Sequence, residues 1–233
     1  MKKALTDLFM PTVCALCGIN ACKSDLPVCS DCIHELHALL RCRCGVCGKP
    51  PASCECGGPA NLRFLFFFGN SASRRLIYHV KNRADERAVR FLVSLLIGTY
   101  GIDASRYDAV TYVPRRKRRV LRYGYDQSRL IAKCVADELG LPLVTTLIRR
   151  GRGEQKLLSA AERKKHIEKL FFPAEDLSEK YKGKRYLLAD DISTTGATLA
   201  ACAGILRRAG IASKVTAIAL AKTNFYNDTG KTV

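Results

Sequence analysis

The sequence predicts an α/β protein, a mainly parallel twisted sheet with helices on both faces, preceded by a small cysteine-rich zinc module. Three observations predict it. From residue 61 onward, short apolar runs alternate with segments of helical period, the pattern of strands joined by crossover helices. Of 12 cysteines, 10 fall between Cys14 and Cys56, most of them in close pairs. The chain has 233 residues, 48% of them hydrophobic, enough for one sizeable core plus a module. The boundary falls where cysteine gives way to aromatic residues, dividing the chain into 1–60 and 61–233.

In the module, the pairs are Cys14/Cys17, Cys29/Cys32, Cys44/Cys47 and Cys54/Cys56. Two thiolates on a tight turn supply half of a tetrahedral shell, and a second knuckle closes it. Cys14, Cys17, Cys29 and Cys32 make one four-sulfur site. Cys44, Cys47, Cys54 and Cys56 make a second, with a tighter last pair; Cys22 and Cys42 are left over. Shells with no open position are structural, and the metal replaces the core that a module of this size lacks. An iron–sulfur cluster is the alternative occupant. A disulfide framework needs export, yet Asp7 and Pro11 interrupt the lysine-led N-terminus before an apolar segment forms. No run approaches the ~18 apolar residues of a membrane span, and the chain reads as cytoplasmic. A short helix over 31–40 carries His34 and His37 on its solvent side.

The elements of the larger domain follow in order. Residues 61–69 are an aromatic strand. Residues 71–82 and 85–100 are helices that open on Ser71 and Asp85. Residues 107–113 form a strand ended by Pro114. Residues 126–139 form a helix stopped by Gly140, and 141–148 a strand. A helix over 159–169 opens with the capping-box spacing of Ser159 and Glu162. Residues 170–172 are a short strand, 184–189 a strand, 197–209 a helix stopped by Gly210, and 212–221 the last strand. Cys134 and Cys202 fall on apolar helix faces as small core residues.

Charge is unevenly spread. The net charge is +18 overall, but +1 over 1–60, +14 over 61–170 and +3 over 171–233. A basic middle implies an anionic partner such as phosphate or nucleic acid.

The sharpest local signal is Leu187-Leu188-Ala189-Asp190-Asp191-Ile192-Ser193-Thr194-Thr195-Gly196-Ala197-Thr198. An apolar strand runs into two carboxylates, then a Thr/Gly loop, then a helix N-terminus, where free N–H groups and the dipole favour an anion. Thr194, Thr195 and Thr198 add hydroxyls, and Gly196 lets a phosphate approach the backbone. Adjacent carboxylates repel phosphate and suit hydroxyls or a hydrated divalent cation. That is the polarity of a sugar phosphate. One Asp and one Thr would suffice for a merely capped helix. A Walker-type ATPase is excluded, because the only Gly-Lys-Thr lies at 230–232 with Phe225 where the first glycine belongs.

The loop closely resembles the 5-phosphoribosyl-1-pyrophosphate motif of type I phosphoribosyltransferases. The other stretches narrow the resemblance: the cysteine-rich N-terminus, Leu76–Lys81, Val113-Pro114-Arg115-Arg116, Arg122-Tyr123-Gly124-Tyr125-Asp126-Gln127-Ser128, then Gln155 and Arg163. Their order is similar to the ComF family, the competence and GntX-like phosphoribosyltransferase homologues, over nearly the whole chain. Asp126 and His166 depart from the pattern, which has Asn at both places.

The resemblance implies a type I phosphoribosyltransferase fold and a set of roles. Asp190 and Asp191, the catalytic pair, would hold the ribose hydroxyls with Mg²⁺ nearby. Thr194, Thr195, Gly196, Ala197 and Thr198 would hold the 5-phosphate. Pro114, Arg115 and Arg116 would form the pyrophosphate loop, and Lys81 would join the substrate-binding residues. Arg149, Arg150, Arg152 and Gln155 would belong to a mobile loop that closes over the site. The chemistry would be displacement of pyrophosphate at the ribose C1 carbon, driven by positioning and electrostatics. No side-chain acid or base stands out; His79 and His166 read as packing or surface residues.

A second function class rests on Lys117, Arg118 and Arg119 with Arg122, Tyr123 and Tyr125 close by. Consecutive cations bind phosphates and interleaved tyrosines stack single-stranded bases, and the family's link to uptake of single-stranded DNA in natural transformation agrees. The same cations would also surround a pyrophosphate loop. The zinc module would then be structural, a DNA contact or a docking surface for a helicase-type ATPase partner, its near-neutral charge speaking against DNA.

Overall fold

A computed structural model describes residues 13–19, 26–56, 61–83, 85–116, 120–121, 124–150, 167 and 169–223. Its centre is a four-stranded, wholly parallel sheet. The strands are β1 (Arg63–Phe68), β2 (Ala109–Tyr112), β5 (Lys184–Ser193) and β6 (Ala212–Thr223), in the order β1-β6-β5-β2. Buried on both faces, they read as nearly continuous apolar runs. A second sheet pairs β3 (Leu147–Arg149) antiparallel to β4 (Phe171–Pro173).

The helices are α1 (Ser30–Arg41), α2 (Ser71–Arg83), α3 (Glu86–Tyr100), α4 (Gln127–Leu139) and α5 (Ala197–Arg208). Their ends follow capping chemistry. Asn70, one residue before the expected start, accepts the Ser73 N–H at 2.9 Å and so opens α2. Asp85 accepts the Arg87 N–H at 2.9 Å and opens α3, while Asp126 opens α4. Gly140 closes α4 in the left-handed conformation, as its position predicts.

Two elements differ from expectation. The strand expected over 141–148 is split. Residues 141–144 run along the edge of β2 with one parallel bridge, Val110 to Leu143, and Pro142 is tolerated there because an edge leaves its missing N–H unneeded. The chain then turns away. The Thr146 hydroxyl bonds that of Thr111 at 2.7 Å, its carbonyl takes the Ala174 N–H at 2.9 Å, and β3 follows in the second sheet. The second difference is β5, which runs on to Ser193 because β6 keeps pairing with it: Asp190 with Ala219, Ile192 with Ala221, Ser193 with Lys222. The two carboxylates are therefore strand residues rather than loop residues. The helix expected over 159–169 lies almost wholly outside the described residues.

The cysteine-rich segment packs into the same interior. Cys14, Leu16, Val28, Cys29, Leu36 and Leu39 belong to one apolar cluster with Leu65, Phe66, Leu76 and Leu92. Cys44 and Cys54 cluster with Phe64, Phe67 and Ala219. Across this junction the Tyr100 hydroxyl lies 3.1 Å from the Pro51 carbonyl and 2.9 Å from that of Phe64. Among the described residues no helix is long and apolar enough to cross a membrane.

Candidate functional site

The site forms where β5 ends and α2, the residues after β2, and α4 converge on it. Asp191 is 5% exposed, and its Oδ2 faces two cations, Lys81 Nζ at 3.1 Å and the Arg115 guanidinium. Asp190 is half-buried and turns the other way. Its Oδ1 accepts the Ser128 hydroxyl at 2.8 Å and the Asp191 N–H at 2.9 Å.

This geometry splits the pair electrostatically. Burial and the Asp191 charge push the Asp190 carboxyl up, and the Ser128 bond only partly offsets them. Burial also opposes ionisation of Asp191, but Arg115 and Lys81 outweigh it and hold its carboxyl below the ordinary value. The two carboxyls are thus driven apart, Asp191 toward its anion and Asp190 toward its protonated form.

The cations are themselves held in place. Lys81 lies in the last turn of α2, where the Tyr125 hydroxyl lies 2.7 Å from the Val80 carbonyl and 2.6 Å from that of Lys81; Gln127 Nε2 adds a longer contact to the latter at 3.4 Å. Tyr125, expected among the base-stacking residues, is thus also a tether between the residues before α4 and the end of α2. Asp126 does two jobs. One oxygen caps α4 through the Arg129 N–H at 3.2 Å and the other takes the Arg115 N–H at 3.0 Å. The carboxylate that stands in place of the family's Asn therefore anchors the Arg115 backbone. It thereby takes up a backbone N–H of the stretch expected to form the pyrophosphate loop. Three buried polar atoms beside these groups, Arg115 Nε, Gln127 Oε1 and Ser193 Oγ, have no hydrogen-bond partner among the described residues. Unpaired buried polar atoms are costly, and a polar ligand would satisfy them.

Beyond Ser193 the chain makes its turn. Thr194 and Thr195 are exposed, and Gly196 sits at φ +74°, a left-handed conformation that disfavours any side chain. Gly196 is the N-cap of α5 and supplies no capping group, so only the Thr195 hydroxyl reaches back, to the Ala197 N–H at 3.4 Å. Neither Asp190 nor Asp191 caps the helix, although a merely structural turn would use them so. Ala197 and Thr198 form its half-buried first turn.

Other expected residues lie at different distances from this centre. Pro114 is buried and Arg116 half-buried, its carbonyl accepting the Val120 N–H at 3.1 Å. Arg149 ends β3 with its guanidinium 5.1 Å from the Phe171 ring. Arg150 lies 5.7 Å from the Phe172 ring and pairs with Glu175. Both are fastened to the second sheet. Arg152, Gln155, Lys117, Arg118, Arg119, Arg122 and Tyr123 lie outside the described residues, as does His166. Ser128 stands in the stretch that carries the resemblance, which implies no role for it. Its bond to Asp190 spans 62 residues of sequence, so only the fold reveals it.

The cysteines gather as their spacing predicts. The sulfurs of Cys14, Cys17, Cys29 and Cys32 lie within 4.8 Å of one another, and so do those of Cys44, Cys47, Cys54 and Cys56. The Cys17–Cys29 and Cys47–Cys54 contacts are each 3.9 Å. Zn–S bonds of about 2.3 Å set sulfurs roughly 3.8 Å apart on a tetrahedron. A disulfide needs about 2.05 Å, and a multi-iron cluster spreads its ligands around a larger core. Each quartet can therefore hold one zinc ion. Backbone N–H groups of Cys17 and Cys29 point at Cys14 Sγ, at 3.5 and 3.3 Å, as a thiolate ligand requires. They outweigh burial and draw its thiol below the ordinary value. Cys22 lies outside the described residues, whereas Cys42 donates to the Ala38 carbonyl and stands apart from both quartets.

Residues 126–228 match the phosphoribosyl transferase domain family. The chain is 28% identical over 221 residues to the DNA utilization protein YhgH of Salmonella typhimurium, covering 88% of this chain and 95% of that one. It is 25% identical over 215 residues to competence protein ComFC of Bacillus subtilis, covering 86% of each. Competence protein F of Haemophilus influenzae is 30% identical over 106 residues, 45% of this chain and 46% of that one. Together with the parallel sheet, the carboxylate pair at the end of β5 and the cysteine-rich N-terminus, these likenesses support a ComF-family, phosphoribosyltransferase-like protein.

Proposed function

We propose that this chain binds 5-phosphoribosyl-1-pyrophosphate with Mg²⁺ at the end of β5, and that its cysteine quartets hold two structural zinc ions. The observation that carries the reading is the division of labour on one strand end. Asp190 keeps Oδ2 clear of its two contacts, both of which fall on Oδ1, so that oxygen is available to a ribose hydroxyl. Immediately beyond it, the uncapped start of α5 offers N–H groups to a phosphate. Arg115 and Lys81 bring positive charge to the side where pyrophosphate would leave.

The donor set fits a hydrated Mg²⁺, which would sit against the pyrophosphate and the Asp190 carboxylate and would neutralise charge on the leaving group. The chain's own residues would do the rest. Ser128 orients Asp190, Arg115 exchanges its contact with Asp191 for the pyrophosphate, and Thr194 to Thr198 fix the other end of the sugar. Such a site supports displacement at the ribose C1 carbon by positioning and electrostatics.

The test is calorimetric titration of phosphoribosyl pyrophosphate with Mg²⁺ into the native chain and into the Asp190→Asn/Asp191→Asn variant. The expected result is saturable binding by the native protein that the variant loses. No binding by the native protein would sink the proposal. A second reading, single-stranded DNA handling in DNA uptake, is favoured by the charge of +14 over 61–170 and by the names of the relatives. On that reading, DNA affinity falls steeply with salt.

A further inference from the structure

Lys222, near the end of β6, is 2% exposed and ranks among the largest fully buried side chains. Burying an ammonium without a counter-charge is among the costliest arrangements a fold can make; such a group is normally paired or gives up its proton. Among the described residues no carboxylate forms an ion pair with it. Its Nζ instead lies 3.7 Å from Cys54 Sγ and 5.2 Å from the centroid of the Phe64 ring. The ring face offers a partial attraction only.

The missing counter-charge is that of the cysteine centre. Four thiolates around a dication leave a net negative charge, and this quartet packs against the sheet beside Phe64, Phe67 and Ala219. A neutral or disulfide-bonded quartet would leave the buried ammonium with the Phe64 ring face in place of a counter-charge. Backbone N–H groups reach a sulfur in each quartet, Cys14 in the first and Cys44 in the second, and the buried ammonium lies against the second.

We propose that Lys222 is the charge partner of the Cys44–Cys47–Cys54–Cys56 centre, donating to the Cys54 thiolate and so setting how firmly zinc is retained there and not at the first centre. The proposal rests on the zinc reading above. It makes Lys222 a positioning residue that ties the centre to β6. That strand is the direct neighbour of the one carrying Asp190 and Asp191, and Lys222 itself pairs with Ser193.

The experiment uses the full chain as the native protein, Lys222→Met and Lys222→Arg. Zinc content is measured by atomic emission, zinc transfer to a chromogenic chelator is followed in time, and folding is checked by circular dichroism. The native protein should carry two zinc ions. Lys222→Met should release one of them at least ~10-fold faster, or lose it on purification, with the other unchanged, since groups just outside a metal's ligands tune affinity by roughly 10- to 100-fold. Lys222→Arg keeps the charge and should restore retention. If Lys222→Met does not fold, Lys222→Gln, which keeps an N–H donor without the charge, takes its place.

Equal release rates in the native and uncharged variants would overturn the proposal. So would Lys222→Arg behaving like the uncharged variant, since packing and not charge would then be at work. A native protein with a single zinc would instead remove the metal reading of the second centre, and this proposal with it.

Discussion

Asp190 is the residue on which the site's chemistry and its cost to the fold meet. Burial and the Asp191 charge push its carboxyl up. A carboxyl of raised pKa binds more protons folded than unfolded, so its contribution to stability falls as pH climbs from the unfolded value toward the folded one. Asp190→Asn removes that penalty and keeps an acceptor for Ser128. The variant should melt higher than the native protein at pH 8, with the difference shrinking toward pH 4. Melting curves at several pH values check this, and a gap that does not change with pH would contradict it. The same variant should bind phosphoribosyl pyrophosphate more weakly, a trade of function against stability common at ligand sites. Both carboxylates were legible in the sequence because their neighbours in the chain, an apolar run before and a Thr/Gly turn after, carry the signal. Ser128, Lys81 and the double role of Asp126 were not legible as contacts. Each acts on a partner far away in sequence, and no local pattern encodes which strand end a helix will face.

At the scale of elements, the start of α5 carries the site's other half. Gly196 holds a left-handed conformation at the N-cap, which costs a non-glycine residue about 1–2 kcal/mol. Gly196→Ala should therefore lower the melting midpoint of the ligand-free protein by ~2–8 °C for a chain of this size. It should also weaken ligand binding, since a methyl group stands where a phosphate would approach the backbone. An unchanged melting point together with unchanged binding would show that the turn is not built around a ligand. Element boundaries were legible where caps are local: Asp85, Asp126 and Gly140 all act at or beside the positions the sequence assigns them. They failed where a neighbouring strand decides. β5 is prolonged past its apolar residues because β6 supplies the partners, and the run over 141–148 is broken because β4 competes for its second half. The resemblance implies a mobile loop at Arg149 and Arg150, whereas their stacking on Phe171 and Phe172 ties this pair to a sheet.

For the whole molecule, the question is whether the cysteine-rich segment stands alone. Its spacing made the metal quartets plain, whereas its attachment was invisible because the contacts join residues far apart in the chain. Leu16, Leu36 and Leu39 share a core with β1, α2 and α3. Glu35 on α1 pairs with Arg75 on α2, and Tyr100 reaches from α3 to the segment around Pro51. On the proposed reading, two small metal centres replace the apolar volume that the 43 residues from Cys14 to Cys56 lack, and they do so against apolar clusters shared with the sheet and its helices. Metal binding and folding are then linked through the entire chain. Stripping zinc with a chelator should lower the melting temperature of the whole protein in a single transition. It should also weaken ligand binding at the end of β5, because β6 loses its packing against the second quartet while it holds β5 in register. Calorimetric scans before and after chelation, with zinc restored as the control, decide the matter. A separate low-temperature transition that leaves the main one in place would mean that the segment folds and fails independently of the sheet.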